Sequence, residues 1–138
     1  IYLILGFTGD ASPTGKMVSG VSNLLISNPN KFQEMEAIAS ITTTGLTALS
    51  IGNFEAVGIA MDACHAKLQN LGVSTPSLDR LVDAARPYSL GAKMTGAGGG
   101  GCMVALSRNP QRVAEEIEIA GGSPLISKLG SKGVCIVK

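Results

Sequence analysis

The sequence has few of the residues with which proteins bind nucleic acids. It contains no tryptophan, two tyrosines and three phenylalanines, so a surface on which bases stack is not expected. Charged residues make up only 15% of the 138 residues and the net charge is +1, so a basic surface for a phosphate backbone is not expected either. We therefore expect no nucleic-acid partner.

Long apolar runs and leader peptides are also missing from the sequence. No segment approaches the roughly 20 continuous apolar residues that a membrane-spanning helix needs. No positively charged segment precedes a hydrophobic stretch and a cleavage site. We expect no membrane partner.

Cysteine is scarce and scattered. Cys64, Cys102 and Cys135 are isolated and odd in number, which favours neither a disulfide framework nor a Cys-x-x-Cys metal site and predicts a cytoplasmic location. Cys64 adjoins His65, but neighbours on a helix point about 100° apart. We interpret His65 as a packing or surface residue and predict no metal site in this chain.

What the sequence does contain is enough apolar residues for one folded domain. Hydrophobic residues make up 45% of the chain, and 138 residues can bury a core. The chain begins with "IYLILGFTGD", which is typical of a buried strand with no lead-in. We therefore expect a fragment of a longer protein.

Helical spacing follows the first strand, which we place at residues 1–5. Thr14 is predicted to cap the first of four helices, and Thr75 the fourth, with Pro76 at its first position. The third helix is predicted to begin after Asn53. The predicted inward faces of the second and fourth helices comprise Phe32, Met35, Ala39, Thr42, Leu46 and Leu49, and Leu78, Leu81, Val82 and Ala85, respectively.

Strand patterns dominate the second half of the chain. "LGAKMTG" and "CMVAL" flank a glycine run, a helix follows Asn109-Pro110 with Val113, Ile117 and Ala120 inward, and "PLISKL" and "GVCIVK" are the last strand candidates. Short connections between successive strands require antiparallel pairing. The order predicts an α+β, two-layer sandwich: an antiparallel sheet of about four strands with helices packed on one face.

The glycine run within "KMTGAGGGGCMVAL", residues 93–106, places five glycines in positions 96–101. It matches Gly-x-Gly-x-x-Gly, but a dinucleotide fingerprint must open a helix and here a strand follows. No Gly-Lys-Ser or Gly-Lys-Thr follows, so it is not a P-loop either. Two interpretations stay open: a hairpin that lets a helix pack closely on the sheet, or backbone N–H groups that form an anion-binding concavity.

A family resemblance favours the second interpretation. "LGAKMTGAGGGGCMVAL" resembles the C-terminal glycine motif of the GHMP kinases, in the form typical of their mevalonate kinase branch. "PTGKMVSGV" after Thr8-Gly9, and "MDACHAKLQNLGVSTPSLDRLVDAAR", resemble further segments of that branch in the same order. Asp62 and Cys64 depart from it, because asparagine is common at both positions. The resemblance covers nearly the whole chain.

This resemblance implies that residues 1–138 form a GHMP kinase C-terminal domain of ferredoxin-like fold. In these kinases the ATP-binding motif (Pro-x-x-x-Gly-Leu-Gly-Ser-Ser-Ala) and the catalytic Asp and Lys lie N-terminal to the matching segment, and this chain contains no such string. The implied partner is therefore an N-terminal kinase domain, without which the chain is expected to lack activity. It would also expose an apolar face, so a homodimer is a further expectation.

The implied reaction is transfer of the γ-phosphoryl group of ATP, with Mg²⁺, to the C5 hydroxyl of mevalonate in isoprenoid precursor synthesis. Thr14 would line the mevalonate pocket, and Gly96, Ala97, Gly98 and Gly99 would approach the triphosphate. No catalytic residue and no metal ligand is expected in this chain, and no cofactor is expected to bind it firmly alone.

Two alternatives remain open at this point. One is a different GHMP enzyme, acting on phosphomevalonate, homoserine or a sugar. The other is a standalone ferredoxin-like module that binds a small molecule, which ordinarily has no need for such a glycine run. The "KMTGAGGGGC" form and the helix carrying His65 favour mevalonate.

Overall fold

The structure, a computed structural model, describes residues 1–137. Its elements are β1 (Tyr2–Phe7), α1 (Thr14–Ser27), α2 (Phe32–Ser50), α3 (Phe54–Asn70), α4 (Pro76–Ala85), β2 (Gly91–Met94), β3 (Cys102–Ser107), α5 (Pro110–Ile119) and β4 (Ser123–Lys128). Short 3₁₀ turns, Pro29–Lys31 and Arg86–Tyr88, precede α2 and follow α4.

The four strands form one antiparallel sheet in the order β2-β3-β1-β4. Ile4 at the centre of β1 lies opposite Ala105 of β3 and Ile126 of β4, and Ala92 of β2 pairs with Ala105 from the other side. β2 and β4 are therefore the edge strands. The predicted α+β fold with an antiparallel sheet of about four strands is confirmed.

The hydrophobic core lies between one face of this sheet and the helices α4 and α5. The sheet contributes Ile4, Ala92, Met94, Met103 and Ala105, and the helices contribute Leu78, Leu81, Val82, Ala85, Val113, Ala114 and Ile117. The predicted inward face of α4 is confirmed in full. Because apolar residues recur there at steps of three and four, they form one stripe that the sheet can cover.

The helix α3 lies along the free edge of β2, where it closes the sheet. The Asp62 carboxylate accepts a hydrogen bond from the Ala92 N–H (2.9 Å), and His65 Nδ1 accepts one from the Met94 N–H (3.0 Å). Two outward-facing amides of the edge strand are thus satisfied by helix side chains. This arrangement blocks pairing with another strand at that edge.

The helix starts agree with the sequence at three of four sites. Thr75 Oγ1 accepts from the Leu78 N–H (3.2 Å), and Asn53 and Asn109 cap α3 and α5 in the same way. The predicted capping role of Thr14 is wrong. Pro13 occupies the capping position of α1 and makes no side-chain bond, so Thr14 is the first helical residue.

The predicted inward face of α2 is also wrong. Phe32 and Leu46 are 51% and 66% exposed, and Ala48 is the one buried residue that this helix contributes within residues 1–137. α2 packs mainly on α3, outside the two layers of the sandwich. A single neighbouring helix cannot cover so wide an apolar stripe, and the rest faces solvent. Among residues 1–137, no helix has the length and apolarity needed to cross a bilayer.

A fifth strand at "GVCIVK" is not formed by residues 133–137, and Lys138 lies outside the described residues. The side chains of Val134, Ile136 and Val137 are at least 90% exposed. Strand propensity depends on packing against a neighbour, and this segment pairs with none of the strands. The observed order therefore ends with one strand after α5.

Candidate functional site

The glycine-rich loop, residues 95–101, connects β2 to β3. Gly96, Gly98, Gly99 and Gly101 have φ values of 76°, 84°, 73° and 79°, in the left-handed region that residues with a Cβ rarely adopt. The Thr95 N–H donates to the Cys102 carbonyl (3.0 Å) and closes the base of the loop. The loop therefore has one defined path that needs glycine at several positions.

The connection between α3 and α4, residues 71–75, holds the loop from one side. The Gly99 N–H donates to the Val73 carbonyl (2.8 Å). A Cβ at Gly98 would overlap that same carbonyl oxygen and lie 2.8 Å from Met94 Cε. Position 98 therefore requires glycine, because a side chain there would collide with the backbone of Val73.

The segment between β1 and α1 holds the loop from the other side. The Ser12 hydroxyl donates to the Gly98 carbonyl (2.6 Å), and the Gly101 N–H donates to the Asp10 carbonyl (2.9 Å). The Thr8 hydroxyl also donates to the Gly101 carbonyl (2.7 Å). The loop is therefore clamped between two distant parts of the chain.

Four N–H groups of the loop have no partner among the described residues. The amides of Gly96, Ala97, Gly98 and Gly100 form no hydrogen bond within residues 1–137, whereas the amide of Gly99 is already used. Gly96 is exposed, Ala97 is half-buried, and Gly98 and Gly100 are buried. An anion approaching from solvent would therefore meet the Gly96 and Ala97 amides first.

The N-terminus of α1 lies directly beside the loop. A Cβ at Gly99 would lie 2.6 Å from Met17 Sδ and 3.1 Å from Pro13 Cδ. Thr14 and Lys16 are exposed on the first turn, which carries no acidic residue. Uncapped N–H groups at a helix start attract negative charge. Thr14 and the open amides of the loop thus share one side of the molecule.

An apolar cavity of about 510 Å³ adjoins the loop. Gly96 and Ala97 border it, and its other walls come from α1, α2 and the end of α3, including Met17, Val21, Ile38, Leu68 and Val73. The sequence does not predict this cavity, because it depends on how α1 and α2 sit relative to α3. The loop therefore borders an apolar cavity in addition to presenting N–H groups that are unpaired within residues 1–137.

His65 lies behind the loop and is completely buried. Its Nδ1 accepts the Met94 N–H, so the ring proton sits on Nε2, which donates to Asp79 Oδ1 (2.9 Å). The prediction of a packing histidine is confirmed, with both ring nitrogens in use. Burial lowers the pKa of His65, although the hydrogen bond and charge of Asp79 act in the opposite direction.

Asp79 gathers three donors. Besides His65, the Ser74 hydroxyl (2.6 Å) and the Gln69 amide (2.9 Å) donate to its Oδ1. Partial burial raises the pKa of the Asp79 carboxyl, but these hydrogen bonds outweigh it and hold the pKa below its ordinary value. The carboxylate stays ionised and neutral His65 stays oriented.

The free energy of unfolding is expected to fall as the pH decreases below about 6.5, the ordinary pKa of histidine. His65 has a lowered pKa, so below that pH the unfolded chain binds more protons than the folded one. Asp79, also lowered, adds a second loss below about pH 4. Urea unfolding from pH 2 to 8 measures both losses. His65 is the sole histidine, so the variant His65→Gln should lack the first loss, and an unchanged slope there would contradict its assignment.

Within residues 1–137, no three His, Cys, Asp or Glu side chains come close enough together to hold a metal ion. The part of the chain that the structure describes therefore offers no cluster of side chains that could hold a metal ion without further ligands.

The antiparallel sheet, the helices α4 and α5 on its face, and the clamped glycine-rich loop together define a C-terminal domain of the GHMP kinase class. Residues 45–122 match the model of the family described as GHMP kinases C terminal, and the chain belongs to that family. The resemblance noted from the motifs is confirmed.

Within this class the chain is most clearly similar to mevalonate kinases. It is 39% identical to the mevalonate kinase of Pyrococcus furiosus over 97% of this chain and 42% of that protein. The structure of L. major mevalonate kinase in complex with R-mevalonate matches 86% of this chain and 37% of its own, with 30% identity and a TM-score of 0.77. Streptococcus pneumoniae phosphomevalonate kinase, 22% identical with a TM-score of 0.78, shares the fold. The chain spans less than half the length of these proteins.

Proposed function

We propose that residues 1–138 are the C-terminal domain of a mevalonate kinase-like enzyme, which transfers the γ-phosphoryl group of ATP to the C5 hydroxyl of mevalonate. The observation that carries this proposal is the similarity to mevalonate kinases along 97% of the chain. The open amides of the glycine-rich loop support it, because they can accommodate phosphate oxygens.

The loop would position the triphosphate and present the partial positive charge of its N–H groups to it. Gly96, Ala97 and Gly98 would present N–H groups to the triphosphate, while Gly99 holds the loop in place through Val73. Phosphoryl transfer gains chiefly from alignment of the reacting groups and from stabilisation of the charge on the transferred oxygens. The rigid path of the loop makes its amides suitable for both.

Thr14 is the proposed contact to mevalonate. It is exposed on the first turn of α1, and its neighbours Pro13 and Met17 lie against Gly99 of the loop, which supports a substrate contact at this helix start. The hydroxyl can donate to or accept from a mevalonate oxygen. The apolar cavity next to the loop offers room for the carbon skeleton.

The chain alone would lack catalytic residues. The proposed N-terminal kinase domain supplies the ATP-binding motif, the catalytic Asp and Lys, and the environment for Mg²⁺. When bound with ATP, Mg²⁺ would neutralise charge on the phosphates. The loop of this chain would then act on the same triphosphate from the opposite side.

An ADP-release assay with ATP, Mg²⁺ and mevalonate tests this function. We expect no turnover by the 138-residue chain and turnover by the same gene product extended upstream. In the extended protein, the variant Thr14→Ala should raise KM for mevalonate about tenfold, the cost of one lost hydrogen bond. The variant Thr14→Ser keeps the hydroxyl and serves as the matched control.

The substrate panel separates the alternatives. Turnover of phosphomevalonate, homoserine or a sugar in place of mevalonate would keep the chain among GHMP enzymes and overturn the proposed substrate. Turnover of none of them by the extended protein would overturn the kinase proposal and favour a small-molecule-binding module.

A further inference from the structure

His65 is linked by hydrogen bonds to β2, which leads into the glycine-rich loop, and through Asp79 to the connection between α3 and α4, which holds the loop from one side. Its Nδ1 accepts the N–H of Met94, the last residue of β2, and its Nε2 donates to Asp79. Asp79 in turn accepts from the hydroxyl of Ser74 in the connection between α3 and α4. One imidazole thus spans the distance between the strand that enters the loop and the connection that holds it.

The path from Met94 to the loop is short. Thr95 follows Met94 directly and bonds to Cys102 at the base of the loop. The Met94 side chain also packs against Gly98, with its Cε 2.8 Å from the place where a Cβ would stand. A shift of Met94 would therefore reach Gly98 through two routes.

The path from Asp79 is equally direct. Ser74, which donates to Asp79, is preceded by Val73. The Val73 carbonyl accepts the Gly99 N–H and lies in contact with Gly98. The hydrogen bond of His65 to Asp79 therefore sets the position of the carbonyl that holds the loop.

We propose that His65 is a positioning residue, whose neutral ring fixes the spacing between β2 and the Val73 carbonyl and thereby directs the Gly96 and Ala97 amides toward a bound phosphate. This inference rests on the proposed function for the identity of the ligand, ATP. It adds a residue that touches neither substrate and acts through two hydrogen bonds.

Burial favours the neutral form of the ring and lowers the pKa of His65, and Arg86 after α4 and Lys93 on β2 act in the same direction. Asp79, which faces the ring from α4, acts against them, and Asp62 lies on α3 itself. A protonated ring would still donate to Asp79, but it could no longer accept the Met94 N–H. β2 would then lose its tie to α3 at Met94, the residue that precedes the loop.

Two amide variants separate the two hydrogen bonds. In His65→Asn the side-chain oxygen can take the place of Nδ1 and accept from Met94, but the side chain is too short to reach Asp79. In His65→Gln the amide nitrogen can take the place of Nε2 and donate to Asp79, but nothing accepts from Met94. Asp62→Ala is the matched control, because it removes a similar acceptor from β2 at Ala92, farther from the loop.

The first readout is the set of backbone amide NMR signals of residues 96–101 in the 138-residue chain, which requires no turnover. We expect both His65 variants to shift these signals and Asp62→Ala to leave them in place. The second readout is kinetic, in the extended protein below the unfolding temperature. There KM for ATP should rise about tenfold in the His65 variants with kcat changed less than about twofold, and remain unchanged in Asp62→Ala.

Unmoved loop signals in a folded His65 variant would overturn the inference, as would equal shifts in Asp62→Ala. If both His65 variants fail to fold, a pH titration of the unmodified chain decides instead. The loop amides must then shift in step with the His65 ring signals, and loop amides that stay fixed while the ring titrates would refute the positioning role. A protein without kinase activity that still shows the loop shifts would refute the proposed function alone.

Discussion

Alanine at Gly58 or at Gly91 is expected to lower the free energy of unfolding by about 3 kcal/mol or more, a large part of a typical domain's stability. α3 approaches the start of β2 at these two glycines with backbone against backbone. A Cβ on Gly58 would overlap the Leu90 carbonyl, and one on Gly91 would overlap the Gly58 carbonyl. No flexible side chain is present to move aside, so the helix itself must separate from the strand. Urea unfolding followed by circular dichroism measures the loss.

The variant Gly20→Ala is the matched control for Gly58→Ala. Gly20 is also in a helix, but a Cβ there would have no atom within 4 Å. The gain in helix propensity should stabilise the chain by up to about 1 kcal/mol. A loss below about 1 kcal/mol in both Gly58→Ala and Gly91→Ala would mean that α3 moves off β2 easily, which would contradict a tight contact between the two backbones.

Alanine at Gly98 is expected to reduce kcat/KM for ATP by about a hundredfold in the upstream-extended protein, because a small misplacement of positioning groups is costly in catalysis. Gly98 combines a φ of 84° with a backbone contact to Val73, so the variant strains the loop and displaces it. Steady-state ADP release, with ATP varied at saturating mevalonate, measures the effect.

The variant Gly52→Ala separates strain from displacement. Gly52 has a φ of 72° in the turn between α2 and α3, and a Cβ there would meet no atom within 4 Å. It should lose about 1–2 kcal/mol of stability through backbone strain and retain full activity. Full activity in folded Gly98→Ala would instead show that the position of the loop does not matter for phosphoryl transfer.

The sequence predicts those parts of the fold in which the local pattern and the packing agree. Thr75 and Pro76 start α4 as expected, and the apolar stripe of this helix is covered by the sheet. In α2, by contrast, local spacing does not predict burial. Its stripe is equally periodic, but whether such a stripe is buried depends on neighbours that local spacing does not reveal, and Phe32 and Leu46 remain exposed.

The sequence also predicts only part of the candidate site. The glycine-rich loop is visible in the sequence because several glycines stand together. The roles of its members are not, since Gly98 and Gly99 depend on Val73, which lies more than twenty positions away. His65 is recognisable as a packing residue, but its two partners, Met94 and Asp79, come from a distant strand and a different helix.

The geometry of α3 against β2 also limits how many amides of the strand the helix can bind. Asp62 and His65 are three residues apart on a helix, a rise of about 4.5 Å, whereas the amides of Ala92 and Met94 are two residues apart on a strand, a rise of about 6.7 Å. Side chains of different length can compensate for this difference in rise at two successive outward-facing amides, but not at a longer series of them. β2 has four residues, while each of the other strands has six. Met94, where the second of these contacts is made, is also the last strand residue before the glycine-rich loop, so the helix supports the strand up to the point where the loop begins.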